Sequence, residues 1–146
     1  MAVTAYLYGK VFVALANKEI DLDDSNVKVM LTTSSYVPDQ AHDYKNDVTN
    51  EVSGNGYTTG GAVLISPAVT YNASTGAWKF TADPTTWSSA TITARYAIVY
   101  YNTGLAATSP LICYVDFGED QVAIGGTFTI TWSADGVASM TVALPA

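Results

Sequence analysis

Residues 91–101, TITARYAIVYY, constrain the fold more than any other stretch of this chain. Their β-branched and aromatic side chains recur with a period of two, the pattern of a strand. Simple alternation places Ile92, Ala94, Tyr96, Ile98 and Tyr100 on one side. Thr91, Thr93, Arg95, Ala97, Val99 and Tyr101 then fall on the other. The second half is apolar on both sides, so this strand is expected at the centre of a sheet. Asn102-Thr103-Gly104 supplies the turn that ends it.

Further strands are spaced closely along the chain. In 27–33, Val27, Val29 and Leu31 alternate with Lys28, Met30 and Thr32. Segments 68–71 and 78–81 flank the turn residues Asn72-Ala73-Ser74-Thr75-Gly76 and read as a hairpin. Segments 111–117 and 127–132 follow, the latter alternating Phe128, Ile130 and Trp132 with threonines. Ala134-Asp135-Gly136 then makes a tight turn into 137–144, and Asp-Gly is a strong hairpin signal. Six or more strands punctuated by Gly, Asn and Asp indicate an all-β fold: a single-domain antiparallel β-sandwich or barrel, jelly-roll or immunoglobulin-like. The 146 residues suffice for one domain, 1–146, with its own core. Helix is expected only in the N-terminal arm, 1–26, where apolar residues in 4–18 are spaced by three and four, and over 42–48. Asp21 to Asn26, DLDDSN, closes the arm with turn-forming residues.

Between the strand at 27–33 and the apolar run 62–65 lies a polar excursion, 34–61, long for a loop inside a compact domain. The motifs VKVMLTTS, YVPDQAHDY, DVTNEVSG and GYTTGGA across this region resemble a family of small structural proteins encoded by tailed bacteriophages. The likeness continues through TITARYAIVYYNTG (91–104), SPLICYVDFGEDQ (109–121) and GTFTITWSADGV (126–137), so it covers most of the chain in matching order. It implies a virion component, not a catalyst, assembled in a host cytoplasm.

Composition narrows the function classes. The net charge is −7, and the bases Lys10, Lys18, Lys28, Lys45, Lys79 and Arg95 are scattered, which argues against nucleic acid as a partner. Only 13% of residues are charged and 49% are hydrophobic, which suits a protein whose neighbours cover much of its surface. No run approaches the length of a membrane span, and no membrane partner is expected. Val11 to Ala16 ends in an A-x-A-like triplet, but it is too short and lacks the basic region of a signal peptide. The single Cys113 lies in an apolar run and reads as a small buried hydrophobe in a chain made in a reducing compartment.

Candidate chemistry is sparse. His42 is the only histidine, without a nucleophile elbow or a cysteine in a nucleophile context, and is expected as an exposed loop residue. Asp21, Asp23 and Asp24 fail the EF-hand spacing and are expected to serve a turn. Glu51, Asp83, Asp116, Glu119 and Asp120 offer carboxylate pairs without any spacing that fixes their separation. Gly54-Asn55-Gly56 and Gly60-Gly61 lack the Lys-Ser/Thr of a phosphate loop and are expected in turns. Asn72-Ala73-Ser74 fits a glycosylation sequon, a coincidence in a protein made inside bacteria. No cofactor and no metal are expected.

Ten tyrosines and three tryptophans exceed what one small core needs. Their uses rank as core packing, then interface anchoring, then stacking on sugars. The expected function is a capsid decoration or cement protein on the virion surface. It would bind the major capsid protein in many copies or as a homo-oligomer, with the N-terminal arm or 34–61 against the shell and Tyr36, Tyr44 and Tyr57 as anchors. The alternative is a tail, head-fibre or adaptor module that binds host surface glycans. A virion-associated depolymerase ranks third, for want of a clustered acid pair.

Overall fold

The structure, a computed structural model, describes residues 2, 3 and 5–145. Two sheets make an all-β, sandwich-like fold. The larger sheet has the order β1-β8-β7-β3-β4, built from β1 (Ala2–Val3), β8 (Leu111–Trp132), β7 (Thr85–Tyr101), β3 (Val27–Thr32) and β4 (Ala62–Val63). A further short strand, β2 (Tyr6–Leu7), also pairs with β8. The smaller sheet has the order β5-β6-β9, from β5 (Ile65–Asn72), β6 (Ala77–Asp83) and β9 (Ala138–Thr141). Every named pairing is antiparallel except that of β1 with β8.

The β5–β6 hairpin forms where the turn chemistry demands it. Asn72 Oδ1 accepts the Ser74 N–H at 2.9 Å, and the Gly76 N–H donates to the Asn72 carbonyl at 2.8 Å. Gly76 sits at φ +70°, a conformation that favours glycine. Strand β7 lies between β3 and β8, the central place expected of a strand apolar on both sides.

Simple alternation fails along β7. Ile92 and Ala94 join Val27, Val29 and Leu31 in the core between the sheets, but so do Ala97 and Val99. Ile98 and Tyr100 sit on the outer face in a second cluster with Tyr8, Met30, Tyr36 and Leu111, and Tyr96 packs against them. The register with β8 jumps between Ala94↔Gln121 and Tyr96↔Asp116. Such a bulge reverses which side each later residue faces. Ile92 and Ala94 therefore do not share a side with Tyr96, Ile98 and Tyr100.

Segments 111–117 and 127–132 also prove to be one strand, the 22-residue β8, because residues 117–120 bulge out without ending the ladder with β7. The Asp135-Gly136 turn forms, with the Gly136 N–H on the Ser133 carbonyl at 2.8 Å, but it makes no hairpin with β8. Instead Val137 donates to Phe80 O at 2.7 Å, and β9 crosses to pair with β6. Val137 and Ala138 are buried, and their burial between the sheets outweighs local pairing.

The N-terminus is not a free arm. Ala2 and Val3 pair with Thr131 and Trp132, while Tyr6 and Leu7 pair with Tyr114 and Cys113. Among the described residues α-helix is limited to α1 (Val11–Ala16), with Val11 and Ala14 buried, and it has no side-chain cap. Over 42–48 only a single 3-10 turn forms, Lys45–Asp47.

Candidate interaction surfaces

The excursion 34–61 is a strap. Its first half covers the outer face of the larger sheet, where Tyr36 and Val48 join the outer cluster. Its second half runs along the edge of β3, with Val52 and Tyr57 packed on the core between the sheets. Tyr36 is 2% exposed. Its hydroxyl lies 2.9 Å from the hydroxyl of Tyr8 and 3.0 Å from Nδ1 of His42. The His42 ring stacks on Tyr36, with centroids 5.7 Å apart. Burial raises the pKa of both tyrosines, since a phenolate there would lose its water. Tyr57 is half-buried. Its hydroxyl accepts the Leu31 N–H at 3.0 Å and donates to Glu51 Oε1 at 2.7 Å, an oxygen that also accepts the Gly60 N–H at 2.5 Å. Tyr100 donates to Gly60 O at 2.6 Å from the sheet below, and burial pushes its pKa up to about 12. Tyr44 is half-buried and donates to Glu19 Oε2 at 3.0 Å.

Tyr36 and Tyr57 thus anchor the strap to the larger sheet, and Tyr44 ties it to Glu19 in the loop after α1. The ring of Tyr36 offers a partner almost no surface, and the hydroxyls of Tyr44 and Tyr57 already have partners. They looked like surface residues because their sequence neighbours are polar. Neighbours such as Ser34, Ser35, Asn55 and Thr58 do face solvent.

The remaining candidates resolve into structural roles. His42 is half-buried, not an exposed loop residue, because it is the last member of the Tyr8–Tyr36–His42 chain. Asp24 caps its turn by accepting from the Asn26 N–H at 2.9 Å and also receives the Tyr101 hydroxyl at 3.1 Å. The Asn26 N–H is the main cause of its lowered pKa. Asp21 moves the other way, its pKa raised by a hydrogen bond with Asp23. Asp116 pairs with Arg95 Nε at 2.8 Å, and that contact holds its carboxyl low. Cys113 is fully buried, and burial raises its thiol pKa. Among the described residues, no group of three or more His, Cys, Asp or Glu side chains is placed to hold a metal ion.

Two apolar surfaces stand out, and neither follows from reading polar and apolar residues locally. The first is the part of the larger sheet's outer face that the strap leaves bare. There Thr91 pairs with Ile124 and Thr93 with Val122. Ile124 is 83% exposed and Val122 60%. They border a shallow depression of about 460 Å³ shared with Val52 and Ser53 of the strap. The second is a groove of about 620 Å³ between α1 and the smaller sheet, lined by Phe12, Leu15, Val69, Trp78 and Met140. The cross-strand pairs Tyr71↔Trp78 and Trp78↔Met140 show how it arises. This row lies on the same face as buried Phe80 but extends past the core. The period-two spacing of Val69 and Tyr71, and of Trp78 and Phe80, was the available signal. The excess of sheet over partner layer was not readable.

The chain matches no protein-family model, no curated protein and no solved structure.

Proposed function

We propose that this chain is a structural protein of a tailed-phage virion, a decoration or cement subunit that binds the head surface and stabilises the shell. Its partner in this role is the major capsid protein. The motif resemblance, which runs from β3 through β8 to the Asp-Gly turn, motivates the reading. The observation that carries it is the bare apolar strip at Val122 and Ile124 on a rigid two-sheet frame. A residue that is 83% exposed mid-strand gains little from burial in an isolated chain. Pressed against a coat subunit, the strip contributes roughly 25 cal/mol for each Å² of apolar surface covered. Many weak contacts of this kind, repeated over a shell, resist outward pressure even though each one is modest after association costs.

Densitometry of purified virions, with cross-linking, tests the reading. A decoration subunit is present in many copies and cross-links to the major capsid protein. Ile124→Lys lowers its occupancy on the head while leaving its own unfolding transition in place. A handful of copies per particle, or cross-links confined to tail proteins, excludes this role.

A further inference from the structure

We propose that the groove between α1 and the smaller sheet is a self-association face, and that two copies of this chain pair through it about a two-fold axis. The inference goes beyond the virion role and holds whether or not the chain sits on a head.

A layered fold is stable when each apolar sheet face has a layer against it. The smaller sheet meets this condition only in part. Its inner face carries two cross-strand rows: Val69, Phe80 and Ala138, then Tyr71, Trp78 and Met140. Phe80 and Ala138 are buried against the larger sheet. Beyond them Tyr71 is 53% exposed and Met140 40%, and Phe12 on the facing helix is 44% exposed. Val142 and Leu144 follow β9 and are also about half exposed. Together with Val69, 41% exposed, these six side chains leave roughly 500 Å² of apolar surface per copy, at the upper end for the largest patch on a typical monomer. Two of these faces brought together cover roughly 1,000 Å², the lower bound of a specific interface.

Charge selects a second copy as the occupant. The groove's charged lining is one base, Lys18, and two acids, Asp21 and Asp23. Among the described residues none of the three takes part in a salt bridge within the chain. A two-fold mate sets Lys18 of each copy toward Asp21 and Asp23 of the other, so each interaction occurs twice. A cation there also relieves the crowding of two neighbouring carboxylates.

Sedimentation of the purified chain at roughly 100 µM, a concentration at which an interface of this size is populated, should show a dimer. Phe12→Lys should weaken the dimer at least tenfold. Leu105→Lys, at an exposed position away from the groove, should not. Lys18→Asp should weaken it as well, and combining Lys18→Asp with Asp21→Lys and Asp23→Lys should restore it. All three charged positions are exposed, so these variants keep the fold even if Phe12→Lys does not. A monomer, a trimer, or a dimer indifferent to both Phe12→Lys and Lys18→Asp overturns the proposal. Failure of the triple variant to recover overturns the two-fold charge pairing.

Discussion

Gly61 and Gly118 hold similar left-handed backbones, at φ +79° and +83°, yet they answer to different constraints. A Cβ on Gly61 would collide with the Val29 carbonyl of β3, because the end of the strap presses directly on that strand. A Cβ on Gly118, in the bulge of β8, would meet nothing within 4 Å. Gly118→Ala should therefore cost about 1 kcal/mol of conformational strain. Gly61→Ala should cost at least about 3 kcal/mol, because backbone must move. Urea unfolding of the pair separates strain from contact, and equal losses would deny the close approach at Gly61. Tyr57 presents a similar contrast. Tyr57→Phe strands the Leu31 N–H and removes a donor from Glu51, at a cost of about 1–3 kcal/mol. Tyr71→Phe, on an exposed ring with no hydrogen bond in the described structure, should leave the unfolding midpoint in place. Sequence reading ranked Tyr57 as a partner's anchor because it sees a ring among polar residues. It does not see that the ring's hydroxyl completes the backbone bonding of β3.

Strands whose alternation is unbroken were readable from sequence, and strands that bulge were not. In β3, Val27, Val29 and Leu31 face the core between the sheets, and Met30 faces the outer cluster. In the last part of β8, Phe128, Ile130 and Trp132 alternate inward as their spacing indicates. The β5–β6 hairpin was equally plain, since Asn72 and Gly76 dictate its turn. Strand β7 defeats the same logic because its pairing breaks at Arg95, opposite the bulge at 117–120 of β8, and nothing in β7 itself marks the break that inverts all that follows. The strap failed for a different reason. Its backbone bonds go to strands distant in sequence, Val52 N–H to Leu31 O and Thr33 N–H to Asn50 O, which no local pattern encodes. Those bonds predict its dynamics. Hydrogen exchange should find the Val52 amide protected nearly as well as the core of β3, since it adds to that strand's edge. The amides of 105–107, in an exposed turn, should exchange by local opening at a much smaller free energy. Uniformly fast exchange across 34–61 would mean that the strap detaches without global unfolding.

Both sheets contribute to the cluster that holds Phe80 and Val137 together with Val29, Val99 and Ile130, so the larger and smaller sheets should unfold together. The ionisable groups tied into that structure give its stability a definite pH profile. On the alkaline side Tyr8, Tyr57 and Tyr100 all have raised pKa values, chiefly through burial. The folded chain keeps these protons while the unfolded chain loses them above about pH 10. Stability from these groups is thus fully present below pH 10 and falls as pH rises past it, with a limiting slope of about 1.4 kcal/mol per pH unit for each tyrosine. On the acid side Asp24, Asp47 and Asp116 have lowered pKa values, held down by the Asn26 N–H, the Asp43 N–H and Arg95 respectively. Their contribution is present above about pH 4 and lost as pH falls below it. These carboxylates lie near the surface, where solvent screens them, and Asp21, whose pKa is raised, opposes them. The alkaline limb should therefore be the steeper of the two. Urea unfolding at intervals from pH 3 to about pH 12 measures both limbs, with tyrosinate absorbance recording ionisation directly. Tyr8→Phe should flatten the alkaline limb while leaving the acid limb unchanged. If that limb keeps its slope in Tyr8→Phe, the Tyr8–Tyr36 pair is not sealed from solvent and the strap does not close over the outer face.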